Sequence, residues 1–145
     1  MSKQPPSLAQ QEAYESAYYY YFQALELLTQ DAETQCERLN FFNVAWEIVD
    51  DINRGAEQLT GLPGGSLTDA QRQGILELAG ALNNVPKSVL FCTNSREGHL
   101  RSMAHPCWDA LRQMAANLVE RLSSETRKNA EFFRLQQATQ APDNA

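Results

Sequence analysis

The sequence predicts an all-α fold: an antiparallel bundle of about four long helices, with an irregular or short-helix segment near residues 87–104. Three observations carry this expectation. Apolar residues recur at three- and four-residue steps over long stretches, which is the helical period rather than that of a strand. Only seven glycines and six prolines occur in 145 residues, and they cluster where the periodic stretches end. Hydrophobic content of 43% with 21% charged residues suits a globular chain, and this length can bury one core without disulfide or metal support.

Residues 1–7 read as a flexible lead, because Pro5-Pro6 does not fit inside a helix. Ser7 is the predicted N-cap of the first helix. Tyr14, Tyr18, Tyr21, Leu25, Leu28 and Ala32 then follow at alternating steps of four and three, the stripe of an amphipathic helix. A break is expected near Thr29–Glu33, with Asp31 able to cap a new helix, although no Gly or Pro marks the junction. The second segment takes Leu39, Phe42, Trp46, Val49, Ala56 and Leu59 as its inner face, with Ile52 alongside, and Gly61-Leu-Pro-Gly-Gly closes it.

Thr68 with Gln71 three positions on forms a capping box, so a third helix should start there. Ile75, Leu78, Leu82 and Val85 supply its face, and Pro86 stops it. The fourth long helix is expected to begin at His105-Pro106, since proline suits the first helical turn. Its face comes from Trp108, Leu111, Ala115, Leu118 and Leu122, and it should run on to Phe133 or Leu135. The domain is therefore read as 8–136, with 137–145 a polar tail.

Charge narrows the function classes. The net charge is −6, and it is uneven, since residues 1–60 hold three basic and ten acidic side chains. A chain of this balance lacks the basic face that nucleic acid requires; it is compatible with a basic protein partner, or with a charged face kept for solubility. The first residues have no apolar signal core, and the longest apolar run, 17–22, falls far short of the roughly 20 residues that span a membrane. Three unpatterned cysteines, Cys36, Cys92 and Cys107, point to free thiols and a reducing cytoplasm.

Two sets of side chains have the chemistry of a metal site. Glu12 and Glu15 form E-x-x-E, and Glu47 and Asp50 form E-x-x-D, a pattern that faintly resembles the Mg²⁺-binding carboxylates of the all-α nucleoside-triphosphate pyrophosphatases. That resemblance implies a Mg²⁺-dependent pyrophosphohydrolase as the alternative function. Carboxylates suit a hard cation that takes oxygen ligands, but the helical wheel turns Glu12, Glu15 and Glu47 roughly 100–160° from their seams, toward water. Cys92, His99, His105 and Cys107 are zinc ligand types, and a zinc- or small-ligand-binding bundle is the second alternative. Their spacing matches no zinc motif, and no phosphate loop, E-x-x-H pair or paired cysteine-catalysis motif accompanies them.

The aromatic positions carry the leading expectation. Tyr18 to Tyr21 are consecutive, so at 100° per residue they point four ways and one seam does not hide them all. Tyr18 and Tyr21 belong to the stripe. Tyr19 and Tyr20 lie roughly 140° and 120° from it, Phe22 flanks it, and Phe41 makes a second adjacent pair with Phe42. Tyrosine suits interfaces because its ring buries area while its hydroxyl stays hydrogen-bonded. The function expected is thus a non-catalytic protein-interaction module (an adaptor, inhibitor or regulatory subunit) that uses Tyr19, Tyr20, Phe22 and Phe41 and self-associates as a homodimer. It needs no cofactor, nucleic acid or membrane.

Overall fold

The computed structural model describes residues 4–140, and these form eight helices with no strand among them. Helix α1 spans Leu8–Leu28 and starts as its sequence dictates. Ser7 Oγ accepts the Gln10 amide at 3.1 Å while Gln10 Oε1 accepts the Ser7 amide at 2.9 Å, which satisfies two otherwise orphaned donors. The Tyr14–Leu28 stripe is buried. The helix ends at Thr29, inside the predicted break. Asp31 then caps α2 (Ala32–Arg38) by accepting the Thr34 amide at 2.8 Å.

The second predicted segment is not one unit. Its beginning is the end of α2, where the Phe41 amide donates to Cys36 O and the Asn40 amide to Glu37 O. These two bonds form a Schellman closure with Asn40 in the left-handed conformation at φ 56°. Phe41 and Asn43 are also left-handed, at 53° and 43°. The chain therefore re-enters helix as α3 (Val44–Gly61) with a new rotation. Its core face is Val44, Ala45, Ile48, Ile52, Ala56 and Leu59, whereas Phe42 and Trp46, expected on the seam, are exposed. Gly55 sets the approach of α3 to α1, because a Cβ there would lie 2.6 Å from the Tyr21 ring.

Thr68 and Gln71 form the expected capping box at the start of α4 (Asp69–Leu82). Two short helices, α5 (Lys87–Leu90) and α6 (Arg96–Met103), fill the stretch read as irregular or short-helical. Helix α7 (Cys107–Arg121) follows Pro106. It does not run on to Phe133: the helix breaks at Leu122 and resumes as α8 (Ser123–Gln140). Residues 137–140, expected as tail, are helical. The parts of the expected lead and tail at 1–3 and 141–145 lie outside the described residues.

Helix α1 packs against α3 and α7, and α4 packs against the same two. Polar cross-links tie α4 to α3 and to α7. The Arg72 guanidinium donates to Thr60 O at 2.8 Å, Asn53 pairs with Asn83 at 3.1 Å, and Gln71 Nε2 donates to Arg121 O at 2.9 Å. At the far end α2 packs on α6, and Gln35 from α2 caps the last carbonyls of α1, at Leu27 and Leu28. Arg112 of α7 holds Gln35 Oε1 at 2.8 Å and Met103 O at 2.7 Å. Trp108 lies fully buried. Among the described residues no helix is long and apolar enough to cross a membrane.

Candidate functional site: an aromatic groove between α1 and α8

Helix α8 crosses α1 on polar contacts rather than on an apolar seam. The Tyr14 hydroxyl donates to Glu125 Oε1 at 3.1 Å, and Ser66 Oγ, from the loop before α4, donates to Glu125 Oε2 at 2.9 Å. Tyr18 Oη lies 2.7 Å from Thr126 Oγ1, and Asn129 Nδ2 donates to Glu15 O at 2.9 Å. Glu125, Asn129 and Glu15 are all buried. Burial pushes the Tyr18 phenol up to about 12, against the hydrogen bond from Thr126 that lowers it. The Tyr14 phenol is raised as well, by burial first and then by the charge of Glu125.

Beyond this polar row, between the two helices, lies a groove of about 520 Å³ lined by Tyr19, Tyr20, Phe22 and Phe133. Tyr19 stands edge-on to both Tyr20 and Phe133, with centroids 5.5 and 5.8 Å apart. Phe22 stacks on buried Tyr18 at 6.1 Å. Tyr20 is 71% exposed and Tyr19 46%, so the rings are ordered by one another but face water. Among the residues lining the groove, amides and hydroxyls make the rim, and Glu26 is the one charged group. The larger cavity beside Pro5, Pro6 and Tyr14 has Arg72 as its one charged lining residue, already spent on Thr60 O.

The other sequence candidates do not come together. Phe41 is not in the groove: its ring lies under the Arg96 guanidinium at 4.2 Å, tying the α2–α3 turn to α6. Glu15 is not solvated, because α8 covers it, whereas Glu12 is exposed and receives Gln136 at 3.2 Å. Glu47 and Asp50 sit on α3, where Asp50 pairs with Arg54 at 3.0 Å. Cys92 and His99 are neighbours, with Sγ 3.4 Å from Nδ1. His105 instead accepts the Cys107 amide at the start of α7, at 3.0 Å. Among the described residues no three Asp, Glu, His or Cys side chains converge as a metal site would require. Sequence reasoning missed α8 as the second wall of the groove; Phe132-Phe133 is the signal that could have found it.

Glu15 gives the site a pH dependence. Burial raises its pKa first, the Asn129 hydrogen bond lowers it, and the charge of Glu125 raises it again. The folded chain therefore holds this proton more tightly than the unfolded chain does. The stability it contributes is present below the unfolded carboxyl pKa and is lost as pH rises through the raised folded value. Glu15→Gln keeps an acceptor for Asn129 without the charge. It should stabilise the protein at pH 7 by up to about 1 kcal/mol, with the gain vanishing toward pH 3. Urea midpoints across that range check the sign.

No protein-family model, no curated protein and no solved structure matches this chain.

Proposed function

We propose that the chain is a helical protein-interaction module whose α1–α8 groove receives an amphipathic, basic helical segment of another protein. The observation that carries this reading is the exposed aromatic pair Tyr19–Tyr20, packed edge-on beside a groove that no described element covers. A groove between two helices with aromatic lining suits a third helix, whose apolar residues at three- and four-residue spacing pack on the rings. Charge selects its flanks. Glu26 is the one charged residue lining the groove, within a chain of net charge −6, so a partner with lysine or arginine beside its anchors is steered in.

The same charges weigh on the homodimer expected from sequence. A two-fold axis at Tyr19/Tyr20 would set Glu26 of one copy beside Glu12 of the other, and like charges at an interface oppose pairing. The scaffold belongs to the proposal too: α1, α3, α4 and α7 are read as an antiparallel bundle, a reading supported by Thr60–Arg72 and Asn53–Asn83, whose numbers run in opposite directions on α3 and α4, and by Gln71–Arg121, which joins the start of α4 to the end of α7.

Calorimetric titration with a synthetic amphipathic helix of leucine and lysine tests the reading. Tyr20→Ala should weaken binding roughly 10- to 30-fold, as for a central aromatic anchor, and a leucine–glutamate peptide should bind far less. Binding indifferent to Tyr20 contradicts the groove. A wild-type dimer at micromolar concentration that Tyr20→Glu splits into 16.3 kDa monomers would make a second copy the occupant instead.

A further inference from the structure

We infer that Cys92, His99 and Asn94 form a reactive-thiol site that exchanges with low-molecular-weight disulfides. The three residues lie on the loop between α5 and α6 and the first turn of α6, away from the aromatic groove. Cys92 Sγ is 3.4 Å from His99 Nδ1, and His99 Nε2 is 3.1 Å from Asn94 Oδ1. A carboxamide oxygen accepts, so Nε2 carries the ring proton and Nδ1 presents its lone pair to the thiol. The imidazole is thus held in the tautomer that takes the Cys92 proton, with the nucleophile, base and orienting group in line.

The local fold fixes this arrangement. Ser95 caps α6 by accepting the Gly98 amide at 3.0 Å, which starts the helix four residues after the cysteine. Gly98 lets that turn close on the loop, because a Cβ there would fall 2.1 Å from Thr93 O. His99 is buried at 3% exposure, while Thr93, Asn94 and Ser95 are exposed and Cys92 is half-buried. A buried base therefore backs a half-buried thiol beside an exposed loop.

The chain's other thiols lack this environment. Cys36 is fully buried, and burial raises its thiol first, with the charge of Cys92 adding to it. Burial likewise raises Cys107. Cys92 is the thiol with an imidazole nitrogen at hydrogen-bond distance among the described residues, so it should react first.

Disulfide exchange is the chemistry that needs the fewest positioned groups. Attack at sulfur forms no tetrahedral oxyanion, so no oxyanion donors are required. The Cys92 proton passes to His99 Nδ1, and the thiolate attacks one sulfur of R–S–S–R. The new Cys92–S–S–R bond forms as the old S–S bond breaks. The departing RS⁻ takes the proton from the imidazolium and leaves as RSH, with no other oxidant consumed.

Oxidised glutathione, added to the full chain at pH 7, is the probe, with the adduct followed by intact mass and mapped by peptide. A single early adduct at Cys92 is expected. Asn94→Ala, at an exposed position, should slow it about tenfold or more by loosening the base, and Asn94→Asp should restore it by keeping an acceptor. His99→Gln should slow it further while the circular dichroism stays helical. If His99 only packed the loop, these substitutions would loosen it and leave the rate unchanged or faster. That result, or an earlier adduct at Cys36 or Cys107, would overturn the site.

Discussion

Trp108→Ala should cost about 3–5 kcal/mol, the range for truncating a buried aromatic. Trp108 has no exposed surface, and its Nε1–H donates to Ser102 O at 3.0 Å, while the Ser102 hydroxyl donates to Val89 O. The substitution empties a cavity at the junction of α5, α6 and α7 and removes one of the two donors to Ser102 O, which keeps the His105 amide at 3.2 Å. For a domain of this size each kcal/mol shifts the melting temperature by roughly 2–4 °C, so a fall of about 10 °C is expected in a thermal melt. Trp108→Phe should keep most of the packing and lose mainly the hydrogen bond, at about 1–2 kcal/mol.

Glu125→Ala should come next, at about 3 kcal/mol, since hydrogen bonds to a charged group contribute about 1.5–3 kcal/mol and their loss strands the buried Tyr14 hydroxyl. The carboxylate is 1% exposed and joins three elements, Tyr14 of α1, Ser66 of the loop and its own helix α8. Lys128, 3.7 Å away and largely exposed, adds little to it. Unlike Trp108, Glu125 acts on one helix: α8 should exchange its amide hydrogens faster while those at Leu25 and Leu118 stay protected. Hydrogen exchange on Glu125→Ala separates these regions, and the peptide binding described above should be lost with α8.

How much of this was legible depended on which force holds each element. The Ser7–Gln10 and Thr68–Gln71 boxes and the Asp31 cap are local chemistry, and both boxes and the cap form where the residues put them. The Tyr14–Leu28, Ile75–Leu82 and Trp108–Leu122 stripes are apolar periodicity, and they are buried. The break after α2 was readable from Asn40, because asparagine substitutes for glycine at the left-handed position of a helix end. Overlooking it carried the α3 face onto Phe42 and Trp46 instead of Val44 and Ile48. The break at Leu122 has no Gly or Pro to mark it. The docking of α8 was hidden because Glu125, Thr126 and Asn129 make its contacts, and a polar seam has no hydrophobic period. For the same reason Glu15 was read as solvated. Of the groove, Tyr19, Tyr20 and Phe22 were legible as surplus aromatics, and Phe133 was not, since its partner Tyr19 lies more than a hundred residues away along the chain.

The central claim is that the open face between α1 and α8 is a binding surface, and mapping the bound probe on the protein tests it most directly. Nitrogen-15 labelled protein titrated with the leucine–lysine helix should move amide resonances along 16–26 and 126–137 together, leaving 69–82 on α4 in place. Tyr20→Ala should abolish that pattern at the same peptide concentration. Shifts centred on α4, or spread evenly over the acidic surface and unchanged in Tyr20→Ala, would contradict the claim.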